Sequence, residues 1–115
     1  MITAPQAQTA QLQARTIAML HELGLGVHRL GYKYLTVAVP RYYLDDSQSL
    51  SKELYPYVAE VFGCADWHSV ERSIRAVILD ARKAGNEAVW AQYFPGSRKM
   101  PSNKEFLAVL AERLR

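Results

Sequence analysis

Val70, Ile74, Val77, Ile78 and Ala81 recur at the spacing of an α-helix. At about 100° per residue they fall within one arc roughly a quarter-turn wide, while Glu71, Arg72, Arg75 and Arg82 lie outside it together with His68. Such a segment must bury one side and present the other. Asp66 predicts the N-cap, because its carboxylate accepts the unpaired N–H groups of a first turn and suits the positive end of the helix dipole. Gly85 predicts the stop, with Arg82 and Lys83 in the last turn, where cations are favoured. The spacing therefore predicts a helix over 66–84. Leu79 alone fits badly: it projects among the polar residues, where a contact with another segment or subunit would be its use.

The remaining punctuation is helical as well. Residues 8–23 place Leu12, Met19, Leu20 and Leu23 on one broad side before Gly24 and Gly26 break the helix. Residues 30–44 are rich in Tyr and Val, and 32–39 alone would pass for a strand. A single strand has nothing to pair with, so a helix is expected, kinked or ended by Pro40. Asp45-Asp46-Ser47-Gln48 reads as a connector rather than an acid-base pair. A third helix over 51–62 has Leu54, Val58, Val61 and Phe62 as its apolar side and Pro56 in its first turn or at a bend. A short helix over 87–93 ends at Pro95-Gly96, and Ser102-Asn103-Lys104-Glu105 forms a capping box for a last helix carrying Phe106, Val109, Leu110 and Leu114. The expected fold is all-α, a compact six-helix domain.

With 115 residues, half of them hydrophobic and 22% charged, the chain is one domain's worth, expected to be a single unit over 1–115. No apolar run approaches a membrane span, and the N-terminus lacks the basic-then-apolar order of a signal peptide. Cys64 has no partner for an internal disulfide, which fits a reducing compartment and a cytoplasmic location. The net charge of +3 is a weak argument for nucleic acid, but its distribution is informative. Residues 1–66 hold 5 basic and 6 acidic side chains, whereas 67–115 hold 9 and 5, so the basic surplus sits with the 66–84 helix.

Catalytic patterns are missing. His21, His28 and His68 with Cys64 do not make a zinc spacing, Leu23-Gly24-Leu25-Gly26 is too short for a nucleotide fingerprint, and Ser69 or Ser73 near His68 and Glu71 cannot assemble a nucleophile, base and oxyanion hole on one helical turn. No enzyme, no metal and no cofactor are expected. A helix of about three turns, the turn Gly63-Cys64-Ala65, and a longer amphipathic helix instead match a helix-turn-helix over about 51–84, the third and fourth helices of the six. Guanidinium forks facing outward from its second helix suit guanine edges in a major groove.

Four blocks then carry a specific likeness: His21-Glu22-Leu23-Gly24 with Gly31-Tyr32-Lys33-Tyr34-Leu35; Leu54-Tyr55-Pro56; Val70-Glu71-Arg72-Ser73-Ile74-Arg75; and Pro101-Ser102-Asn103-Lys104-Glu105-Phe106. In these the chain resembles the C-terminal DNA-binding effector domains of the stage zero sporulation protein A response regulators of endospore-forming Firmicutes. The resemblance runs from about residue 16 to the end. It implies a transcription regulator, an activator among its expected roles, whose copies bind double-stranded DNA in tandem on boxes built around GTCGA. Base reading falls on Glu71, Arg72 and Arg75. Arginine donates two hydrogen bonds to guanine, and glutamate accepts one from the cytosine amino group. The resemblance also implies a contact with the sigma subunit of RNA polymerase after the reading helix, here around Asn86, Glu87, Trp90 and Tyr93.

Departures from the family pattern are visible too. Ser69 stands where an arginine usually precedes the Val-Glu-Arg run, Ala76 stands where histidine is common, and the turn before Asp66 is one residue longer. No receiver domain is read in the 115 residues, so no phosphoacceptor pocket is expected, whether the segment is an excised fragment or a stand-alone relative. Two functions follow. The leading one is sequence-specific DNA binding, with His68, Ser69, Arg98, Lys99 and Lys104 meeting phosphates. The other is a protein-interaction module that keeps the fold and acts on sigma factor or a full-length regulator without strong DNA binding.

Overall fold

A computed structural model of the protein describes residues 4–96 and 99–115, with side chains from residue 7 onward. Its architecture is built around one helix. α2 (Leu30–Leu44) packs against α1 (Ala4–Glu22), α3 (Tyr55–Phe62), α4 (Trp67–Ala84) and α6 (Asn103–Arg113), with α5 (Glu87–Tyr93) linking α4 to α6. These six helices make an all-α domain in which α3 and α4 pack as a helix-turn-helix pair.

The sequence explains why α2 is central. Tyr32, Tyr34, Leu35, Ala38, Val39 and Tyr42 are all buried, on more than one side of the helix. Its Tyr- and Val-rich stretch is helix and not strand because four other helices cover it. Of the two outcomes expected at Pro40, a kink or an end, the end does not occur: Pro40 lies inside α2, which continues to Leu44. An interior proline costs about 3 kcal/mol. Burying Tyr42 beyond it, together with Pro40 itself, offsets that cost.

Residues 12, 19, 20 and 23 are buried as their spacing requires, although α1 begins at Ala4, before the expected start. Thr16 shares that side, and its hydroxyl donates to the Leu12 carbonyl at 2.7 Å. Gly24 adopts φ 82° as the chain leaves α1, a conformation a side chain would strain.

The third helix differs most from expectation. Leu50–Leu54 forms a wide π-type turn, with the Leu54 N–H donating to the Ser49 carbonyl at 3.0 Å, before α3 proper begins at Tyr55. Ser49 caps the turn by accepting from the Lys52 N–H at 3.2 Å, and Glu53 accepts from the Ser49 N–H at 3.1 Å. Pro56 follows directly, at the start of α3. A proline ring collides with the carbonyl four residues back in a regular helix, and a widened turn relieves that collision. The buried side of the helix is therefore Leu54, Tyr55, Val58 and Ala59, whereas Val61 and Phe62, expected to be buried, are 49% and 40% exposed. Gly63, at φ 69°, ends α3 in the left-handed region, and the Cys64 N–H returns to the Ala59 carbonyl at 2.7 Å.

Candidate nucleic-acid interface

α4 is positioned by its own stripe. Val70, Ile74, Val77, Ile78 and Ala81 are buried, at 3% exposure or less. Each of the larger four contributes about 1.5–3 kcal/mol by leaving water, which outweighs the modest helix propensity of β-branched residues. Asp66 caps the helix as the sequence requires: its Oδ1 accepts from the His68 N–H at 2.9 Å. That backbone N–H first, and the His68 imidazole second, hold the Asp66 carboxyl below the usual carboxylate range.

The N-terminal turn of α4 is braced by three stacked rings. Trp67 lies over Tyr55 with centroids 5.9 Å apart and planes 15° apart, and His68 lies over Trp67 at 3.8 Å and 21°. Tyr55 is 2% exposed, so the stack ties the start of α4 to the core of α3. Burial pushes the Tyr55 phenol above its ordinary value. Asn103 adds a second tie, because its Nδ2 donates both to the Tyr55 hydroxyl and to the Glu71 carbonyl, each at 3.1 Å. One side chain at the start of α6 thus joins α3 and α4. Trp67 and Asn103 were not singled out from the sequence. A tryptophan next to an N-cap and an asparagine inside a capping box were the only signals, and both are local, whereas their contacts are long-range.

Beyond the buried stripe, Arg72 and Arg75 are exposed and Glu71 is half-buried. Among the described residues, none of these three side chains makes a hydrogen bond or ion pair. His68, Arg72 and Arg75 stand at i, i+4 and i+7, so they share one outward line about 10 Å long. Leu79 continues that line at 37% exposure.

The other expected contacts are distributed unevenly. Lys104, at the start of α6, lines one polar hollow with Glu71, Tyr55 and Glu53. Lys99 is exposed in the loop before α6. Arg98 lies outside the described residues. The Ser69 hydroxyl donates to the Asp66 carbonyl at 2.7 Å and so acts within the cap. After α4, Asn86 caps α5 by accepting from the Ala88 and Val89 N–H groups at 2.8 and 3.3 Å. Glu87 is exposed and pairs with Arg82 at 3.1 Å. Trp90 and Tyr93 are buried, at 2% and 4% exposure. The Trp90 Nε1 donates to the Leu23 carbonyl at 3.0 Å, and the Tyr93 hydroxyl donates to Glu22 Oε1 at 2.9 Å. Both rings are core members and so are not available to the partner expected of them, whereas Asn86 and Glu87 are exposed.

The family model described as "Sporulation initiation factor Spo0A C terminal" matches residues 16–114. The chain belongs to that family. Its members are non-catalytic DNA-binding effector domains of transcription regulation, which agrees with the helix-turn-helix packing of α3 and α4. Among the described residues, no group of three or more His, Cys, Asp or Glu is placed to hold a metal ion. No described helix is long and apolar enough to cross a membrane.

Proposed function

We propose that this chain binds double-stranded DNA in a sequence-specific way and regulates transcription by reading GTCGA-type boxes with α4. Arg72 and Arg75 read guanine edges, and Glu71 accepts from the cytosine amino group. Lys99 and Lys104 hold phosphates on either side of the groove, with Arg98 and the Asp66–Ser69 turn contributing. Copies occupy neighbouring boxes in tandem, and the exposed surface at Asn86 and Glu87 meets the sigma subunit of RNA polymerase.

The observation that carries the reading is the state of the two guanidinium groups. They are exposed, without hydrogen-bond or ion-pair partners among the described residues, on a helix whose opposite side is sealed into the core. An arginine fork kept out of internal pairs retains all five donors for a planar acceptor edge.

A gel shift with a GTCGA duplex against a scrambled duplex of equal length, at one stated salt concentration, tests this. Preference for the GTCGA duplex is expected. Equal affinity for both removes the reading role. The interaction-module reading has one observation in its favour: the residue where the family carries an arginine is Ser69, whose hydroxyl is taken up by the cap. Failure to bind either duplex would turn the assignment to that module.

A further inference from the structure

Resting on the reading of α4 as the DNA-binding helix, we propose that Asp66 and His68 together make the DNA affinity of this chain proton-dependent. His68 joins the phosphate contacts only when its imidazole is charged. The geometry is specific to these two residues. His68 Nδ1 lies 2.6 Å from Asp66 Oδ1, and the ring is clamped flat on Trp67, which is clamped in turn on Tyr55. The imidazole is therefore fixed in place at the head of the outward line shared with Arg72 and Arg75. Its side chain is 53% exposed, and Nε2 makes no hydrogen bond among the described residues.

Charge decides what a phosphate meets there. Asp66 is an acid at the end of the helix that would otherwise attract phosphate, and its carboxyl is held in the ionised form. With a neutral imidazole the pair carries one negative charge. With an imidazolium it carries none, and Nε2 becomes an outward charged donor. The neighbouring groups do not reverse this sign. On α4 these are Glu71, half-buried, and Arg72, exposed one turn along. Among the described residues, the Tyr55 phenol of α3 stands behind Trp67, and Lys104 of α6 shares a hollow with Glu71. In the preceding turn the Cys64 Sγ is 3.3 Å from the Tyr34 hydroxyl.

Histidine side chains change charge between about pH 5 and 8. A phosphate that favours the imidazolium makes binding take up a proton, so affinity is highest at low pH and falls as pH rises through the range of the bound state. The slope of log K against pH lies between 0 and −1. A single exposed charge contact corresponds to a change of roughly two- to five-fold. The effect acts on the backbone, so it is equal on matched and scrambled duplexes.

Fluorescence anisotropy with GTCGA and scrambled duplexes, from pH 5.5 to 8.5 at constant ionic strength, tests this on wild type, His68→Gln and Asp66→Asn. His68→Gln keeps the backbone donor of the cap, and the fall in affinity between pH 5.5 and 8.5 seen in wild type is expected to be lost in it. Asp66→Asn keeps a capping side chain, and tighter binding than wild type at pH 8 is expected on both duplexes. A wild-type slope unchanged in His68→Gln, or no gain in Asp66→Asn, overturns the proton coupling while leaving DNA reading intact. Loss of all binding at every pH in the wild-type chain overturns the DNA reading itself and the coupling with it.

Discussion

Gly31 packs directly on the backbone of Ser73, so that a methyl group on its α-carbon would fall on the Ser73 carbonyl and 2.6 Å from Val77 Cγ1. This contact sets the distance between α2 and α4. Gly31→Ala forces the two helices apart, with an expected destabilisation of about 1–3 kcal/mol. Urea unfolding checks the figure, and the variant should also bind DNA more weakly because α4 shifts relative to Lys104. An unchanged midpoint would mean that the helices separate without cost.

Arg72 and Lys104 are expected to fail in different ways. Arg72→Ala or Arg75→Ala removes a base contact of about 1–3 kcal/mol and relaxes preference for the GTCGA duplex. Lys104→Ala, and likewise Lys99→Ala, weakens binding to all duplexes and reduces the salt slope by about 1. Titrations at several salt concentrations on both duplexes separate the two patterns. Equal losses on matched and scrambled DNA for Arg72→Ala would refute its reading role.

The contrast between α4 and α3 shows what was legible in the sequence. α4 is eighteen residues long, so its apolar period is sampled over five turns, and its caps Asp66 and Gly85 are local chemistry. The outward position of Arg72 and Arg75 follows as the complement of the buried stripe. α3 has eight residues and several apolar positions, so two overlapping choices of buried side fit its sequence equally. Packing against α4 selected Tyr55 and Ala59 over Val61 and Phe62. The π-type turn was hidden for a related reason, because Pro56 allows either a first turn or a bend. In the seven-residue α5, an aromatic ring signals a surface or a core with equal force. Only the partners 67 and 71 residues away, the Leu23 carbonyl and Glu22, decide that Trp90 and Tyr93 face inward. The bracing of the interface by Trp67 and Asn103 was illegible because it joins three helices distant in sequence.

Asn103 should matter to stability out of proportion to its size. Asn103→Ala leaves the buried Tyr55 hydroxyl without its donor and removes the second, side-chain donor from the Glu71 carbonyl, at an expected cost of about 1–3 kcal/mol. In a double-mutant cycle with Tyr55→Phe, the two changes should cost less together than separately, by at least about 0.5 kcal/mol. Strict additivity in chemical denaturation would show that the bond between them contributes nothing.

Tyr93 makes alkaline stability a direct readout of the α1–α5 junction. Burial, then its hydrogen bond to Glu22, pushes the Tyr93 phenol up to about 12 from an ordinary value of 10.0. An acid whose folded pKa is raised keeps its proton in the folded state while the unfolded chain releases it. The stability this proton contributes is therefore fully present and constant below about pH 10, is lost between about pH 10 and 12, and the loss levels off above. At pH 7, Tyr93→Phe is expected to cost about 1.5–3 kcal/mol, because the lost hydrogen bond is to a carboxylate. The Arg113 guanidinium, 3.8 Å from the ring centroid, is retained over phenylalanine, so the cation–π contact does not confuse the comparison. Between pH 10 and 12 the gap between wild type and variant should close, since only the wild type has this proton to lose. Urea denaturation at pH 7, 10 and 11.5 measures it. A gap that stays constant to pH 11.5 would mean that the Tyr93 hydroxyl is not held in its neutral form by the fold.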